Sequence, residues 1–344
     1  MAKRVFVGMS GGVDSSVAAA LLVEQGYDVT GVYMKNWSQD LPGMECPWRE
    51  DLADAKRVAV QLGIDFEVFD FQREYKQKVV DYMLDEYRAG RTPNPDIMCN
   101  QEVKFRLFLD VALEKGADFI ATGHYARTEH GVLMMAKDRV KDQTYFLYRV
   151  THAALRRTLF PLGNYTKPEV REMAKTRGLW TARKKESMGV CFVGNVGMRE
   201  FLSEYVTTRP GDIIDRETGA ILGRHDGAIF YTLGQRHGLE VGGGLPYYVV
   251  GKDMNHNEVY VSRNINDNAM WQTAIPLTDL HWIHGAPNEA DVLLIRLRHR
   301  GELKSCQLRG TELFLTEPER AVAPGQSAVI YADGVCLGGG IVAG

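Results

Sequence analysis

Ser10-Gly11-Gly12-Val13-Asp14-Ser15-Ser16 is the stretch on which the reading of this chain turns. Val5-Phe6-Val7 ahead of it reads as a buried strand, and Val17-Ala18-Ala19-Ala20-Leu21-Leu22 behind it reads as a helix that Gly26 stops. Val29 to Tyr33 reads as the next strand. A glycine turn between a strand and a helix N-terminus gathers backbone N–H groups and the positive end of the helix dipole, both suited to phosphate. Gly11 and Gly12 take Cβ atoms out of an anion's approach, and Ser10, Ser15 and Ser16 add hydroxyl donors. The stretch has no Gly-Lys-Ser/Thr ending, so it is not a Walker A loop, and the Gly-x-Gly-x-x-Gly spacing is absent too. The bland alternative is a tight turn with a serine cap. The flanking strand and helix favour a nucleotide loop.

Alternating patterns continue through the first half. Leu52, Ala55, Val58, Ala59 and Leu62 recur at helical spacing up to Gly63, and Phe66-Glu67-Val68-Phe69 alternates like a strand. Further helices are expected through Val79–Leu84 and Phe105–Leu113, the second stopping at Gly116 before a strand at Phe119-Ile120-Ala121. Lys167-Pro168-Glu169 opens another helix, which Gly178 closes. Repeated strand–helix–strand units predict a parallel sheet with helices on both faces. After about Val206 helical periodicity disappears, and short Val/Ile/Tyr runs alternate with Gly-Asp, Thr-Gly and Asp-Gly turns. The expected division is 1–206, a small central β-rich domain at 207–270, and a C-terminal β-barrel at 271–344.

At 344 residues, 45% hydrophobic and 25% charged, the chain has the composition of a soluble protein of two or three domains. No apolar run approaches the ~20 residues that span a bilayer, and a strand beginning near Met1 leaves no room for a signal peptide. Five cysteines, an odd number without metal-like spacing, predict a reducing cytoplasm and no metal-ligand set. A formal charge of −3 means that any nucleic acid is held by a local patch.

Two cysteines stand in polar, turn-rich company. Cys99 falls in Thr92-Pro93-Asn94-Pro95-Asp96-Ile97-Met98-Cys99-Asn100, read as a proline-punctuated loop, with Asp96 as a base if burial raises its pKa. Cys191 falls in Glu186-Ser187-Met188-Gly189-Val190-Cys191, where Lys184 and Lys185 would favour a thiolate. Cys46, Cys306 and Cys336 read as small buried hydrophobes.

The Ser10–Ser16 loop resembles the PP-loop of the ATP pyrophosphatases, which cleave ATP to AMP and pyrophosphate. Taken with Asn-Pro-Asp-x-x-Cys-Asn, Ala-Thr-Gly-His-Tyr-Ala-Arg (121–127), Lys-Asp-Gln-Thr-Tyr-Phe-Leu (141–147), Gly-Val-Cys-Phe-Val-Gly (189–194) and Tyr-Thr-Leu-Gly-Gln-Arg (231–236), the chain resembles the bacterial tRNA-specific 2-thiouridylases. The match runs in order from Gly8 to the Gly-Gln-Ser-Ala-Val segment near the C-terminus. The resemblance implies an adenine nucleotide alpha hydrolase-like α/β domain followed by two small β-rich domains. It also implies ATP-dependent 2-thiolation of the wobble uridine of tRNAs for Lys, Glu and Gln, in the cytoplasm. ATP, as Mg-ATP, adenylates the uracil 2-oxo group, and pyrophosphate and then AMP depart. A sulfur-carrier protein or cysteine desulfurase would charge Cys191 as a persulfide. Cys99 would attack either the activated base or that persulfide, the latter with a transient disulfide, and Asp96 would be the acid/base.

Residue by residue, the resemblance assigns Gly8, Met9, Ser10, Gly11, Gly12, Val13, Asp14 and Ser15 to ATP phosphates, and Met34 and Gly123 to the adenosine. Asp14 would help organise Mg2+ and the pyrophosphate. Asn94, Pro95 and Asp96 would face the target base, and His124, Lys141, Asp142, Gln143 and Gln326 would contact tRNA. Arg296-Leu297-Arg298-His299-Arg300 read as a strand puts its arginines on one face, suited to phosphates, and His299 on the other. The family has Arg-Tyr where this chain has Arg298-His299, both assigned to tRNA. A PP-loop amidating ligase would need neither cysteine pair nor basic β-domain. A non-catalytic tRNA-binding module would not need Ser10, Asp14 and Ser15 intact.

Overall fold

The computed structural model describes residues 2–40, 46–185, 197–242, 244–264, 266–288 and 291–344. In the first half, strands β1 (Arg4–Gly8), β2 (Asp28–Lys35), β3 (Asp65–Asp70) and β4 (Phe119–Ala121) alternate with helices that include α1 (Val13–Glu24) and α2 (Trp48–Leu62). A short hairpin, β5 (Arg127–Glu129) and β6 (Val132–Met134), and the two-residue β7 (Thr158–Leu159) follow. The parallel sheet runs β3-β2-β1-β4-β7. Val5, Phe6, Val7 and Ile120 are fully buried because helices cover both faces, which is why these strands read as unbroken apolar runs. Nearly every residue of α1 up to Leu22 is buried as well, and its alanines let it lie close to the sheet.

Beyond Tyr205 the described regular structure is strands with short 3-10 turns. β8 (Gly211–Asp215), β9 (Ile221–His225), β10 (Tyr248–Asp253) and β11 (Glu258–Ser262) make a sheet ordered β10-β11-β8-β9. β12 (Trp271–Trp282), β13 (Leu293–Arg296), β14 (Lys304–Arg309), β15 (Glu312–Arg320), β16 (Ser327–Ala332) and β17 (Val335–Val342) form an antiparallel sheet that closes through β12–β17. The α/β domain, central β unit and terminal barrel expected from the sequence are therefore the architecture. One connection was not expected: β6 pairs with β17 at Met134 and Val335, so the barrel sheet continues into the first half.

Two local expectations are corrected. Pro95–Cys99 is a helix rather than a loop, continued by π-helical Asn100–Leu107 and α-helical Phe108–Glu114. Asn94 caps it, accepting from the Asp96 N–H at 3.2 Å, and Pro95 occupies the first turn, where a missing N–H costs nothing. The arginine row is not a strand face either. β13 ends at Arg296, which is buried, and Arg300 turns at φ 61°.

Candidate active site

The strand order reverses between β1 and β4, and a crevice opens at their carboxyl ends, where open α/β sheets bind ligands. A cavity of about 440 Å³ lies there. Gly8, Met9, Ser10, Gly12, Val13, Asp14 and Ser15 line it from the β1–α1 loop, with Met34 from β2 and Gly123 and His124 from the end of β4. Gly11 does not line it. At φ 74°, a Cβ on Gly11 would stand 2.3 Å from the Asp51 carbonyl oxygen, so α2 packs directly on the back of the loop. A Cβ on Gly123 would stand 2.7 Å from the Ser15 nitrogen, which brings β4 against the first turn of α1. Ser15 Oγ accepts from Ser10 N–H at 3.2 Å and lies 3.3 Å from Ser10 Oγ. Ser16 is corrected as a ligand donor: it is fully buried, donating to Gly12 O at 2.8 Å and accepting from Thr181 Oγ1 at 2.9 Å.

The cavity is cationic. Among the described residues Lys104, Lys141, Lys167, Lys185 and Arg300 line it, against the carboxylates of Asp14 and Asp51. Lys167, nearly buried, reaches both Asp14 oxygens at 2.7 Å, and Tyr125 OH donates to Asp14 at 3.0 Å. His124 is held neutral: burial, then the nearby Lys104 ammonium, push it well below the usual imidazole range. Its Nδ1 lies 2.8 Å from Thr122 Oγ1. Burial and the neighbouring Arg300 and Arg296 push His299 down to about 4, and its ring packs 4.5 Å from that of Phe146. His299 also lines the cavity.

Asp96 and Cys99 are not in the lining of this cavity. Cys99 is 2% exposed, packed in the apolar core beside Ile97, Val103 and Phe105. Asp96 is half-buried; burial raises its carboxyl and Lys104 opposes the rise. The helical run therefore carries Asp96, Cys99 and, on its π-helical part, the cavity-lining Lys104. Such wide turns recur at functional sites. The segment leading in is tied to both β units. Thr92 N–H donates to Pro324 O at 2.8 Å, Gln326 Nε2 donates to Thr92 O at 2.6 Å, and Thr92 Oγ1 lies 3.2 Å from Thr232 Oγ1. A Cβ on Gly325 would meet Thr92 N at 2.8 Å.

The remaining expected RNA contacts divide. Lys141 and Gln143 line the cavity, and Gln143 Oε1 accepts from Tyr125 N–H at 2.9 Å. Asp142 turns the other way: it is 1% exposed, and its side chain is bonded inside the protein to Arg296, Thr144 and the Ala136 N–H. Arg298 is exposed, 3.2 Å from Glu319, and lies outside this cavity. Asn94 and Pro95 form the start of the Asp96 helix, and the Gln326 side chain is used on Thr92. Cys191 and its motif lie outside the described residues. Lys184, expected beside Cys191, holds Asp51 at 2.8 Å and Asp54 at 2.6 Å.

Sequence reasoning missed Lys104, Lys167 and Tyr125. Cys46, taken for a core cysteine, is half-buried in the cavity lining, and burial raises its thiol. Cys306 and Cys336 are buried, as expected.

A family model described as the tRNA methyl transferase HUP domain matches residues 3–195. Its PRC-barrel companion matches 199–263, and an aminomethyltransferase beta-barrel domain matches 272–342. The tRNA-specific 2-thiouridylase MnmA of Methylobacillus flagellatus is 47% identical over 357 aligned positions, covering 99% of each chain. That of Bacillus subtilis is 45% identical, covering 98% of this chain and 94% of the relative. A 4-thiouridine synthetase solved with RNA and ATP is 19% identical, with TM-score 0.41 over 59% of this chain and 50% of that one, a loose likeness. With identity of this order along essentially its whole length, the chain belongs to the tRNA-specific 2-thiouridylase family.

Proposed function

We propose that this protein is a tRNA-uridine 2-sulfurtransferase that thiolates the wobble uridine of tRNAs for Lys, Glu and Gln at the expense of ATP. The observation that carries the reading is the cation-ringed cavity at the switch point of the sheet, with the Asp96–Cys99 helix running into its wall at Lys104. The glycine loop, the N-terminus of α1 and the surplus of cations suit a polyphosphate. Met34 and Gly123 border the adenosine.

A uracil 2-oxo group is a poor leaving group. Its oxygen attacks the α-phosphorus of ATP, pyrophosphate departs, and the 2-position then carries AMP. A sulfur nucleophile adds at C2 and AMP leaves. The sulfur arrives as the terminal atom of a Cys191 persulfide, charged by a sulfur-carrier protein or a cysteine desulfurase. Cys99 attacks either the base or the inner sulfur of the persulfide. In the first route it displaces AMP and is displaced in turn by the Cys191 persulfide, whose S–S bond an external thiol then cleaves. In the second route the outer sulfur is released as sulfide to add at C2. A Cys99–Cys191 disulfide forms, which an external thiol must reduce before the next turnover. Asp96, its carboxyl raised by burial, is suited to hold and return a proton. Cys99 is covered by its neighbours, so the reading requires the Pro95–Cys99 turn to shift when RNA docks.

Mg2+ would enter with the phosphates. Among the described residues no three His, Cys, Asp or Glu side chains gather as a metal site. Asp14, the acidic residue of the loop, would join it only by sharing its oxygens with Lys167. The division of labour is catalysis in 1–206, a linking unit in 207–270 and RNA contact by 271–344, in the cytoplasm. No described helix is long and apolar enough to cross a membrane.

The test is mass spectrometry of tRNA nucleosides after incubation with ATP, Mg2+, a cysteine desulfurase with cysteine as the persulfide donor, and a thiol reductant. Wild type should yield 2-thiouridine, and Cys99→Ser and Cys191→Ser should not. Full activity in either variant overturns the two-cysteine mechanism. The same spectra separate thiolation from the methylation named in the domain descriptions.

A further inference from the structure

The barrel carries a second cavity, of about 430 Å³, whose lining includes Arg298, already expected to touch tRNA. Arg298, Arg300, Lys304 and Arg320 line it with two carboxylates, Glu302 and Glu319, and Trp271. Its volume lies in the range of small-molecule sites. Glu319 is nearly buried and serves two of the cations, at 3.2 Å from Arg298 and 2.5 Å from Lys304, which fixes both at the pocket. Arg320 stacks 4.5 Å above the ring of Tyr248. The Trp271 side chain is 40% exposed although most large apolar side chains here are covered. Arg300 lines this cavity and the nucleotide cavity alike, so the two adjoin through a single side chain.

A positive surplus, guanidinium planes and an accessible indole are the elements that hold single-stranded nucleic acid. Cations take the phosphates, and a π-face takes the base whatever its identity. We propose that this cavity is a second RNA subsite, which holds one unstacked nucleotide of the strand whose target uridine occupies the nucleotide cavity. Its base lies against Trp271 and its phosphate between Arg300 and Lys304. The inference rests on the thiouridylase reading and adds where the strand goes next. An acidic protein surface would use the same cations, but it would give the indole nothing to stack on.

The experiment uses the full chain and an anticodon stem–loop RNA carrying 2-aminopurine singly at each loop position. Wild type should quench fluorescence at one position other than the target. Trp271→Ala should lose that quench and bind the RNA on the order of tenfold to a hundredfold more weakly, the worth of one stacked base. Trp271→Phe, which keeps a π-face, should restore most of both and exclude misfolding as the cause. Lys304→Gln should lower the slope of log affinity against log salt by about 0.7, one phosphate on a single strand. An unchanged quench and affinity in Trp271→Ala overturn the subsite while thiolation by wild type leaves the proposed function standing. RNA binding unchanged with sulfur delivery lost gives the cavity to a protein donor and overturns it too. A wild type that neither binds the stem–loop nor thiolates tRNA overturns both proposals.

Discussion

Replacing Asp142 with alanine separates a structural role from an RNA contact. Asp142 is 1% exposed, and its Oδ2 accepts from Arg296 Nη1 at 2.9 Å and from Thr144 Oγ1 at 2.8 Å. Its Oδ1 accepts from the Ala136 N–H at 2.9 Å. Arg296 is itself 6% exposed and lies 5.4 Å over the Tyr331 ring, so its guanidinium is shut away from bulk solvent. Truncation strands a buried guanidinium, which costs about 3–5 kcal/mol. Thr144 Oγ1 keeps the Tyr331 hydroxyl at 3.2 Å as a partner, so the guanidinium dominates the loss. Three structural units need not unfold together. The assay is therefore urea unfolding combined with hydrogen exchange at the β13 and β16 amides, where the first half meets the barrel. Asp142→Ala should lower protection there, and Arg296→Met in the same background should recover much of it by removing the unpaired charge. If Asp142→Ala unfolds like wild type and only tRNA affinity falls, the internal role is refuted.

Other outcomes follow from the same geometry. Gly11→Ala must place a side chain at φ 74° and 2.3 Å from Asp51 O; the strain and overpacking together should cost about 2–5 kcal/mol and abolish ATP binding by calorimetry. His299, lowered to about 4 in the fold, is neutral there while the unfolded chain protonates near 6.5. Stability should therefore fall as pH drops through that interval, and His299→Phe should flatten the fall in urea midpoints between those pH values. Asp96 has the opposite sign for a carboxyl, since its folded value is raised, so it destabilises as pH rises above the ordinary range. Asp96→Asn should be more stable than wild type at neutral pH, equal in acid, and inactive in thiolation; equal stability at neutral pH would contradict the burial argument.

Local signals carried much of this molecule. The β1 run, the glycine loop and α1 are each visible within twenty-odd residues, and the switch-point cavity follows from the order of strands built on them. What stayed hidden depends on distant partners. Lys167 and Asp14 are 153 positions apart, and Arg296 and Asp142 are 154 apart. Nothing near Arg296 shows that its charge is matched inside, so period-2 reasoning put it in a row of arginines suited to phosphates. Pro95 misled for a different reason. Proline was read as punctuation, although Asn94-Pro95 is also a cap followed by a first helical residue, and only the structure chooses between these. Cys46 gives no local sign of its place, because the cavity it lines together with the glycine loop is made only by the fold.

The ties at Thr92 bear on any attempt to take this enzyme apart. That residue commits its amide, carbonyl and hydroxyl to partners that lie 140 or more positions downstream, in both later units. Excising the barrel would hand two of those groups to solvent and cut the tether just ahead of Asn94. A truncated first half could keep its sheet and its nucleotide loop yet present Asp96 at the wrong angle. The apparent modules are thus not interchangeable parts, and a chimera with a foreign barrel would have to rebuild this one joint first.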